Sequence, residues 1–180
     1  MTARLSFIVA IIMGLLLASC QTAPKSESDR LALQKQADET IREFKNSDST
    51  MEKFFKNAVG YAVFPSVGKG AVGVGGAYGR GILYEGGRMV GYCDLSQGTV
   101  GLQLGGQAYR EIIFFETRDA LLRFKSGNFA FAAQASAVAA KHGASADADY
   151  EDGVVVFTMA RGGLMYEASI GGQKFTFEPM

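Results

Sequence analysis

The sequence has few of the residues that carry nucleophilic or metal chemistry: it contains one histidine, two cysteines and no tryptophan. A zinc site would have too few nitrogen and sulfur ligands to draw on. No general base lies near Cys93 in sequence, and His142 falls in a stretch that reads as a loop. A buried cysteine that acts as a small apolar residue is the better interpretation of Cys93. We therefore expect no metal, no cofactor and no catalytic residue.

Neither sign of charge is in excess, since 18 Lys and Arg residues balance 18 Asp and Glu residues. A chain without a basic balance has no global charge that attracts nucleic acid, so no nucleic-acid partner is expected. An acidic run near residues 147–152 lacks the ligand spacing of an EF-hand and is read as part of a small, acidic, mobile loop over residues 142–152.

Long apolar runs are scarce as well. The one clear block covers residues 5–17, follows Arg4 and precedes the small residues Ala18 and Ser19. A transmembrane helix needs about 20 apolar residues, so this block is too short to span a bilayer. Its flanks are those of a cleaved secretion signal, which we expect to cover residues 1–19.

The last residues of this signal, Leu17, Ala18, Ser19 and Cys20, resemble the lipobox of bacterial lipoproteins. The resemblance implies that Cys20 is acylated, becomes the first mature residue and anchors the protein in a membrane. An ordinary secretion signal that happens to end in Cys is the alternative. Gln21 follows the cysteine, and by similarity to Gram-negative sorting rules this favours the outer membrane, with the protein facing the periplasm.

The mature chain is predicted to begin with a flexible tether and a helix. Residues 20–29 are polar, contain Pro24 and lack periodicity, which is typical of a linker between an anchor and a domain. A single domain over residues 30–180 follows. Apolar residues every three or four positions from Leu33 to Phe44 predict an amphipathic helix that ends near Lys45, with Ser28 or Asp29 as its cap.

Two shorter helices are also predicted. Ser49 and Glu52 have the spacing of a capping box before a short helix through Phe54 and Phe55. A further short helix over residues 117–125 has Thr117 as its cap.

After Gly60 the chain changes to short β-rich runs separated by glycine, which is the pattern of an antiparallel sheet. Gly86-Gly87 and Gly171-Gly172 are predicted hairpin turns, and Gly105-Gly106 a bulge or kink. Residues 128–141 favour a strand over a helix by their alternation. The fold class expected is α+β, with N-terminal helices on a large, glycine-rich antiparallel sheet and one helix inserted near residues 117–125. Candidate strands are residues 61–64, 71–78, 81–84, 89–95, 99–115, 154–160, 164–170 and 174–177.

Residues 68–73 match the dinucleotide fingerprint GxGxxG, but a nucleotide site needs a helix directly after it. Too many glycines follow for a helix, so nucleotide binding is not predicted. The same region suggests instead a basic and aromatic surface that binds anionic lipid headgroups. Its candidate cations lie around Phe54, Phe55, Tyr61 and Tyr78; the competing interpretation is that the aromatics fill the core. These cations are Lys53, Lys56, Lys69, Arg80 and Arg88.

Three glycine-rich blocks and a closing segment resemble the SYLF domain family. They are AVFPSVGKG at residues 62–70, GVGGAYGRG at 73–81, GTVGLQLGGQ at 98–107 and RGGLMYEASIGG at 161–172. The family includes bacterial lipoproteins and membrane-trafficking proteins of yeast, plants and animals. The resemblance implies a compact domain that binds phospholipid, with a phosphoinositide preference in eukaryotic members and actin binding in fungal ones, and implies no enzyme activity. Actin binding is not carried over, because a bacterial envelope protein would not meet actin.

The sequence therefore predicts a lipid-anchored, phospholipid-binding envelope protein whose partners are membrane phospholipids, with no protein partner assigned. A structural or partner-binding lipoprotein without specific lipid recognition is the main alternative. An enzyme with a carboxylate pair that the sequence does not single out is a third.

Overall fold

The computed structural model describes residues 22–72, 74–100, 107–127, 129–132, 136–161 and 168–180. The side chains of residues 69–75, 99–100, 107, 136 and 168–169 are not described. The predicted signal, the acylation site Cys20, the Gly105-Gly106 kink and half of the segment 161–172 therefore lie outside the described residues.

Three α-helices occur in the described chain. Helix α1 covers Glu27–Ser47, α2 covers Glu52–Asn57 after a 3-10 turn at Ser49–Met51, and α3 covers Arg118–Lys125. The helix that apolar periodicity predicted is thus confirmed as α1, and its buried residues include Leu33, Ala37 and Phe44. None of the described helices is long and apolar enough to cross a bilayer.

The helix caps are only partly those predicted. Thr117 caps α3 as expected, since its Oγ1 accepts a hydrogen bond from the Ala120 amide. Helix α1 is capped by Ser26 rather than by Ser28 or Asp29. The predicted capping box of Ser49 is wrong: Asp48 caps the 3-10 turn, because its carboxylate reaches the Thr50 amide.

The strands form a mixed sheet that is antiparallel except for one pair. In chain order they are β1 (Gly60–Val72), β2 (Val74–Glu85), β3 (Arg88–Val100), β4 (Gln107–Phe115), β5 (Ser136–Ala139), β6 (Val154–Ala160), β7 (Ala168–Ser169) and β8 (Lys174–Pro179). Their spatial order is β7-β5-β6-β4-β1-β2-β3-β8, and among these described strands β5 and β6 alone pair in parallel. The α+β class is confirmed.

The strand bounds differ from the prediction most in β1. Residues 65–70 were not predicted to be extended, but β1 runs through them with a bulge between Val63 and Ser66. Pro65 lies in this bulge, where a residue without an amide hydrogen does not interrupt the ladder. The first glycine-rich block is therefore part of a long strand.

The sheet curls until its two edges approach each other. Strands β7 and β8 lie at opposite ends of the strand order, and a flat sheet of eight strands would separate them by about 33 Å. The chain from Ser169 to Lys174 spans at most about 17 Å. Ala137 of β5 and Phe175 of β8 accordingly lie in one buried cluster, on the face that carries α3. We call this side of the sheet the α3 face.

The two predicted glycine turns connect different kinds of strand pairs. Gly86 and Gly87, at φ +57° and +76°, form the predicted tight turn between the paired strands β2 and β3. Gly172 also has positive φ, but the turn it belongs to joins the two edges of the sheet, since β7 pairs with β5 and β8 pairs with β3. The predicted hairpin at Gly171-Gly172 is therefore wrong, although the turn is present.

Helices α1 and α2 cover part of the opposite face, the α1 face. Helix α1 crosses the strands one after another: Arg30 lies 5.8 Å from the Tyr92 ring of β3, Tyr84 of β2 reaches Asp38, and Arg110 of β4 pairs with Glu43. Helix α2 buries Phe54 against aromatic residues of β4 and β6. Both faces of the sheet therefore carry a hydrophobic core.

Candidate functional site

None of the described helices covers the part of the α1 face that lies on the side of α1 away from α2. Two cross-strand rows lie there: Ser66, Arg80, Asp94 and Thr176 form one, and Gly68, Tyr78, Ser96 and Lys174 form the next. Gly76 and Gly98, which are cross-strand neighbours, lie in the row after these. We call these ten residues the glycine face. A methyl group built on Gly68 or Gly98 would meet nothing within 4 Å, so the backbone is open to approach at these two glycines.

Tyr78 and Arg80 are held on this surface by Asp94. The Tyr78 hydroxyl donates to Asp94 Oδ1 at 3.0 Å, Arg80 Nε donates to the same oxygen at 3.1 Å, and Arg80 Nη2 donates to the Tyr78 hydroxyl at 3.3 Å. Arg80 and Asp94 are direct cross-strand neighbours, which brings the three side chains together. Tyr78 nevertheless remains 52% exposed. The phenol ring and guanidinium are thus presented in a fixed arrangement.

The pKa values of Tyr78 and Arg80 both lie above their usual ranges, in the direction that contact with Asp94 favours. Partial burial and the neighbouring Asp94 carboxylate raise the pKa of Tyr78, so the phenol keeps its proton at neutral pH. Burial would lower the pKa of Arg80, but its hydrogen bonds to Asp94 and Tyr78 raise it instead. Lys174 adds an exposed cation on the edge strand. The glycine face therefore carries two cations, Arg80 and Lys174, against the one carboxylate of Asp94, and it offers several hydrogen-bond donors.

Residues 22–24 lie beside the glycine face and form what we call the strap. Thr22 Oγ1 is 3.0 Å from Thr176 Oγ1, and the Ala23 amide donates to Glu178 Oε2 at 2.9 Å. Arg30 Nε donates to the Pro24 carbonyl at 3.0 Å. Thr22 and Ala23 are only 5% and 9% exposed. In the segment expected to be a flexible tether, Thr22 and Ala23 are therefore packed on β8 and Pro24 is held by α1.

A second polar group is buried on the α3 face. Gln173 Nε2 donates to Glu111 Oε2 at 3.0 Å and to the Tyr109 hydroxyl at 3.2 Å. Thr158 is the cross-strand neighbour of Glu111. Within the described chain, Glu111 Oε1, Gln173 Oε1 and Thr158 Oγ1 have no hydrogen-bond partner. Burial raises the pKa of Glu111 to about 8, opposed by the bond from Gln173, so the carboxyl is mostly neutral at pH 7.

A cavity of about 520 Å³ opens near the β6 edge. Its walls include Phe129, Phe131 and Ile170, but Asp149, Glu151 and Asp152 contribute three carboxylates against the single guanidinium of Arg123. An anionic headgroup would be repelled by this balance of charge. The cavity therefore does not match the surface that the sequence predicted.

The loop over residues 142–152 is anchored to the helices. Asp48 Oδ2 accepts the Ser145 amide at 2.8 Å, and Lys53 Nζ donates to the Ala146 carbonyl at 2.7 Å. Burial alone would raise the pKa of Asp48, but hydrogen bonds from Thr50 and Ser145 outweigh it and hold that pKa far below its usual range. The loop that was expected to be mobile is thus fixed at its centre.

The four predicted headgroup-binding cations whose side chains are described are not brought together. Lys53 and Lys56 lie on α2, where Lys56 is 4.0 Å from Glu52. Arg88 follows the Gly86-Gly87 turn, and its strand partner Glu85 is five residues, or about 17 Å, from Arg80. The side chain of Lys69 lies outside the described ones. Arg80 alone of the four described cations lies on the glycine face.

The aromatic residues named with these cations divide in the same way. Phe54 is buried, and Phe55 and Tyr61 pack against the same core cluster, so these three fill the core. Tyr78 is the exposed member. Sequence reasoning missed Asp94 and Lys174 as its neighbours. The two-residue turn pairs Glu85 with Arg88, a register that would place Cys93 opposite Arg80. A bulge between Leu83 and Tyr84 shifts the register and brings Asp94 there instead. Lys174 reaches the glycine face through the β3–β8 pairing.

Comparison with known proteins relates the chain to one family. Residues 96–179 match the family described as Ysc84, Las17-binding protein actin regulator, which carries the SYLF domain. The chain is also 26% identical over 156 residues to "Beta cell expansion factor A" of Aeromonas veronii. The match covers 84% of this chain, which spans about 59% of that relative's length. The predicted resemblance to the SYLF family is confirmed.

Proposed function

Because residues 96–179 are a SYLF-family region, we propose that this protein is a bacterial lipoprotein whose domain binds phospholipid without catalysing a reaction. Cys20 carries the acyl chains, and the outer membrane, on its periplasmic side, is the proposed location. The glycine face is the proposed contact surface. The bilayer is the proposed partner, through both the anchor and anionic headgroups.

The observation that carries this proposal is the exposure of Tyr78 beside Arg80, next to the open backbone at Gly68 and Gly98. A phenol ring has an apolar body and a polar tip, and such rings favour the interface between headgroups and acyl chains. At Gly68 and Gly98, which carry no side chain, the backbone can approach the headgroup layer closely. The cations add electrostatic attraction to an anionic surface, at about 1 kcal/mol for each Lys or Arg.

The rigid arrangement of the three side chains also favours binding. Asp94 fixes both Tyr78 and Arg80 before any lipid arrives, so less side-chain entropy is lost on contact. Arg80 retains N–H groups that can donate to a phosphate oxygen, and a guanidinium is well suited to that geometry. These properties favour a polar, anionic headgroup over an apolar ligand.

The test is co-sedimentation of residues 21–180, which lack the anchor, with neutral and anionic phospholipid vesicles at low and high salt. The proposal expects binding to anionic vesicles that weakens with salt, because the attraction is screened. Replacing Arg80 and Lys174 together by Gln removes two cations, which at about 1 kcal/mol each weakens binding about 30-fold.

Lys53 and Lys56 provide a matched control, because their replacement by Gln removes the same charge from α2. The proposal expects this pair to weaken binding much less than the pair on the glycine face. A loss confined to the α2 pair would move the contact surface to that helix. No binding to any vesicle would contradict lipid recognition and favour a protein partner instead.

A further inference from the structure

The strap joins the proposed anchor to the folded domain with almost no slack. Thr22 is packed on β8, and only Gln21 stands between it and Cys20. Two residues span at most about 7 Å. An acyl-bearing Cys20 lies at the membrane surface, so the bilayer has to come within about that distance of Thr22.

The position of the strap decides which side of the domain meets the bilayer. Thr22 contacts Thr176, which is in register with Asp94 and then with Arg80 on the next strand. Two strand spacings, about 10 Å, therefore separate the strap from Arg80 along the sheet. The headgroup layer is itself about 5–7 Å thick on each side of a bilayer. A domain held at Thr22 thus has its glycine face within reach of that layer.

A segment without contacts to the domain would not fix which side of the domain faces the bilayer. If residues 21–26 were unattached, up to about 25 Å of chain would separate Cys20 from the start of α1, and the domain could turn any side to the membrane. The bonds of Ala23 to Glu178 and of Pro24 to Arg30 remove that freedom. The strap is therefore the element that sets orientation.

We propose that the strap fixes the domain on the bilayer that holds its own anchor, with the glycine face against the headgroups. This inference rests on the acylation of Cys20 proposed above. It assigns the bound domain one orientation on the membrane. In this orientation α3, on the opposite side of the sheet, faces away from the bilayer.

The experiment uses the full lipidated chain, purified from membranes and reconstituted in phospholipid vesicles whose headgroups carry a nitroxide quencher. A fluorophore is attached to a cysteine introduced by Ser96→Cys on the glycine face or by Leu122→Cys on α3, both at exposed positions. Cys93 is fully buried, so it does not compete for the label. A peptide mass showing an unmodified Cys20 would overturn the proposal together with its premise.

The measurement is made at about 1 M salt, where the Debye length is about 3 Å and electrostatic binding of the glycine face is suppressed. We expect the Ser96→Cys label to be quenched several-fold more than the Leu122→Cys label. Insertion of about twelve Gly and Ser residues between Gln21 and Thr22, a coil of about 20 Å, is expected to remove the difference. Equal quenching of the two labels in the parent, or an insertion without effect, would overturn the proposal.

This outcome is separable from that of the proposed function. Co-sedimentation of the anchor-free protein reports whether the glycine face binds lipid by its own affinity. Quenching at high salt reports whether the strap orients the domain when that affinity is absent. A strap that orients a domain without lipid affinity would support the inference and contradict the proposed function.

Discussion

The buried carboxyl of Glu111 gives the protein a pH-dependent stability that can be predicted in sign and size. Glu111 is fully buried on the α3 face, and its partner is the amide of Gln173 rather than a cation. Burial raises its pKa from the ordinary 4.5 to about 8. Because the folded state holds the proton more tightly than the unfolded state, stability is full below pH 4.5 and is lost as the pH rises through about 8.

The size of the effect follows from these two pKa values. Between about pH 5 and pH 8 the linkage lowers the free energy of unfolding by roughly 3 to 4 kcal/mol. In a domain of this size the change corresponds to about 10 °C in melting temperature. Glu111→Gln keeps a neutral side chain of the same shape, so it removes this loss and is expected to be more stable than the parent at pH 8.

The assay is urea unfolding followed by circular dichroism at several pH values, compared between the parent and Glu111→Gln. Glu39→Gln, on the exposed side of α1, serves as a control that should leave the pH dependence unchanged. Equal pH dependence in the parent and Glu111→Gln would refute the reasoning, because it would mean that Glu111 ionises in the folded state as it does in water.

Other predictions concern the loop anchor and the close packing of strands. Asp48→Asn should lower the free energy of unfolding by about 1–3 kcal/mol at pH 7, since Asp48 accepts hydrogen bonds from Thr50 and Ser145. Because the pKa of Asp48 is depressed in the folded state, this cost should shrink as the pH falls below about 4. Denaturant unfolding of the parent and the variant at pH 7 and pH 2.5 would check this. Gly81→Ala should destabilise by about 1–3 kcal/mol, because its Cβ would lie 2.5 Å from the Val63 carbonyl oxygen. Gly98→Ala, in open space, should change stability by less than about 0.5 kcal/mol in the same denaturation assay, and equal costs at the two glycines would contradict this account of the packing.

The helices and much of the sheet were predictable because they depend on local pattern. The apolar spacing from Leu33 to Phe44 is sufficient for α1. A continuous run of β-branched and other apolar residues is sufficient for β6, whose predicted bounds are exact. The β1 bulge could not be predicted, because it depends on how Pro65 fits between two neighbouring strands. The edge-to-edge turn at Gly172 depends on the closure of the whole sheet.

The candidate site was predictable only in part, for the same reason. Tyr78 and Arg80 are two residues apart in the sequence and therefore share a strand face, so the sequence was sufficient to predict that they lie together. Lys53 and Arg88 also have aromatic residues near them in the sequence, but in the folded chain they lie on other parts of the surface. The contact between Thr22 and Thr176 joins residues 154 positions apart, and no local pattern reports it.

The contact between the glycine face and lipid is tested most directly by a tryptophan placed in it, because the chain has none of its own. Tyr78→Trp puts a single reporter at the exposed aromatic position, and Leu122→Trp puts one on α3 as a control. The fluorescence of anchor-free protein is measured with anionic vesicles at low salt. We expect the emission of the Tyr78→Trp protein to shift to shorter wavelength and that of the Leu122→Trp protein to stay unchanged. A shift at Leu122→Trp alone, or at neither position, would contradict the assignment of the glycine face as the lipid-binding surface.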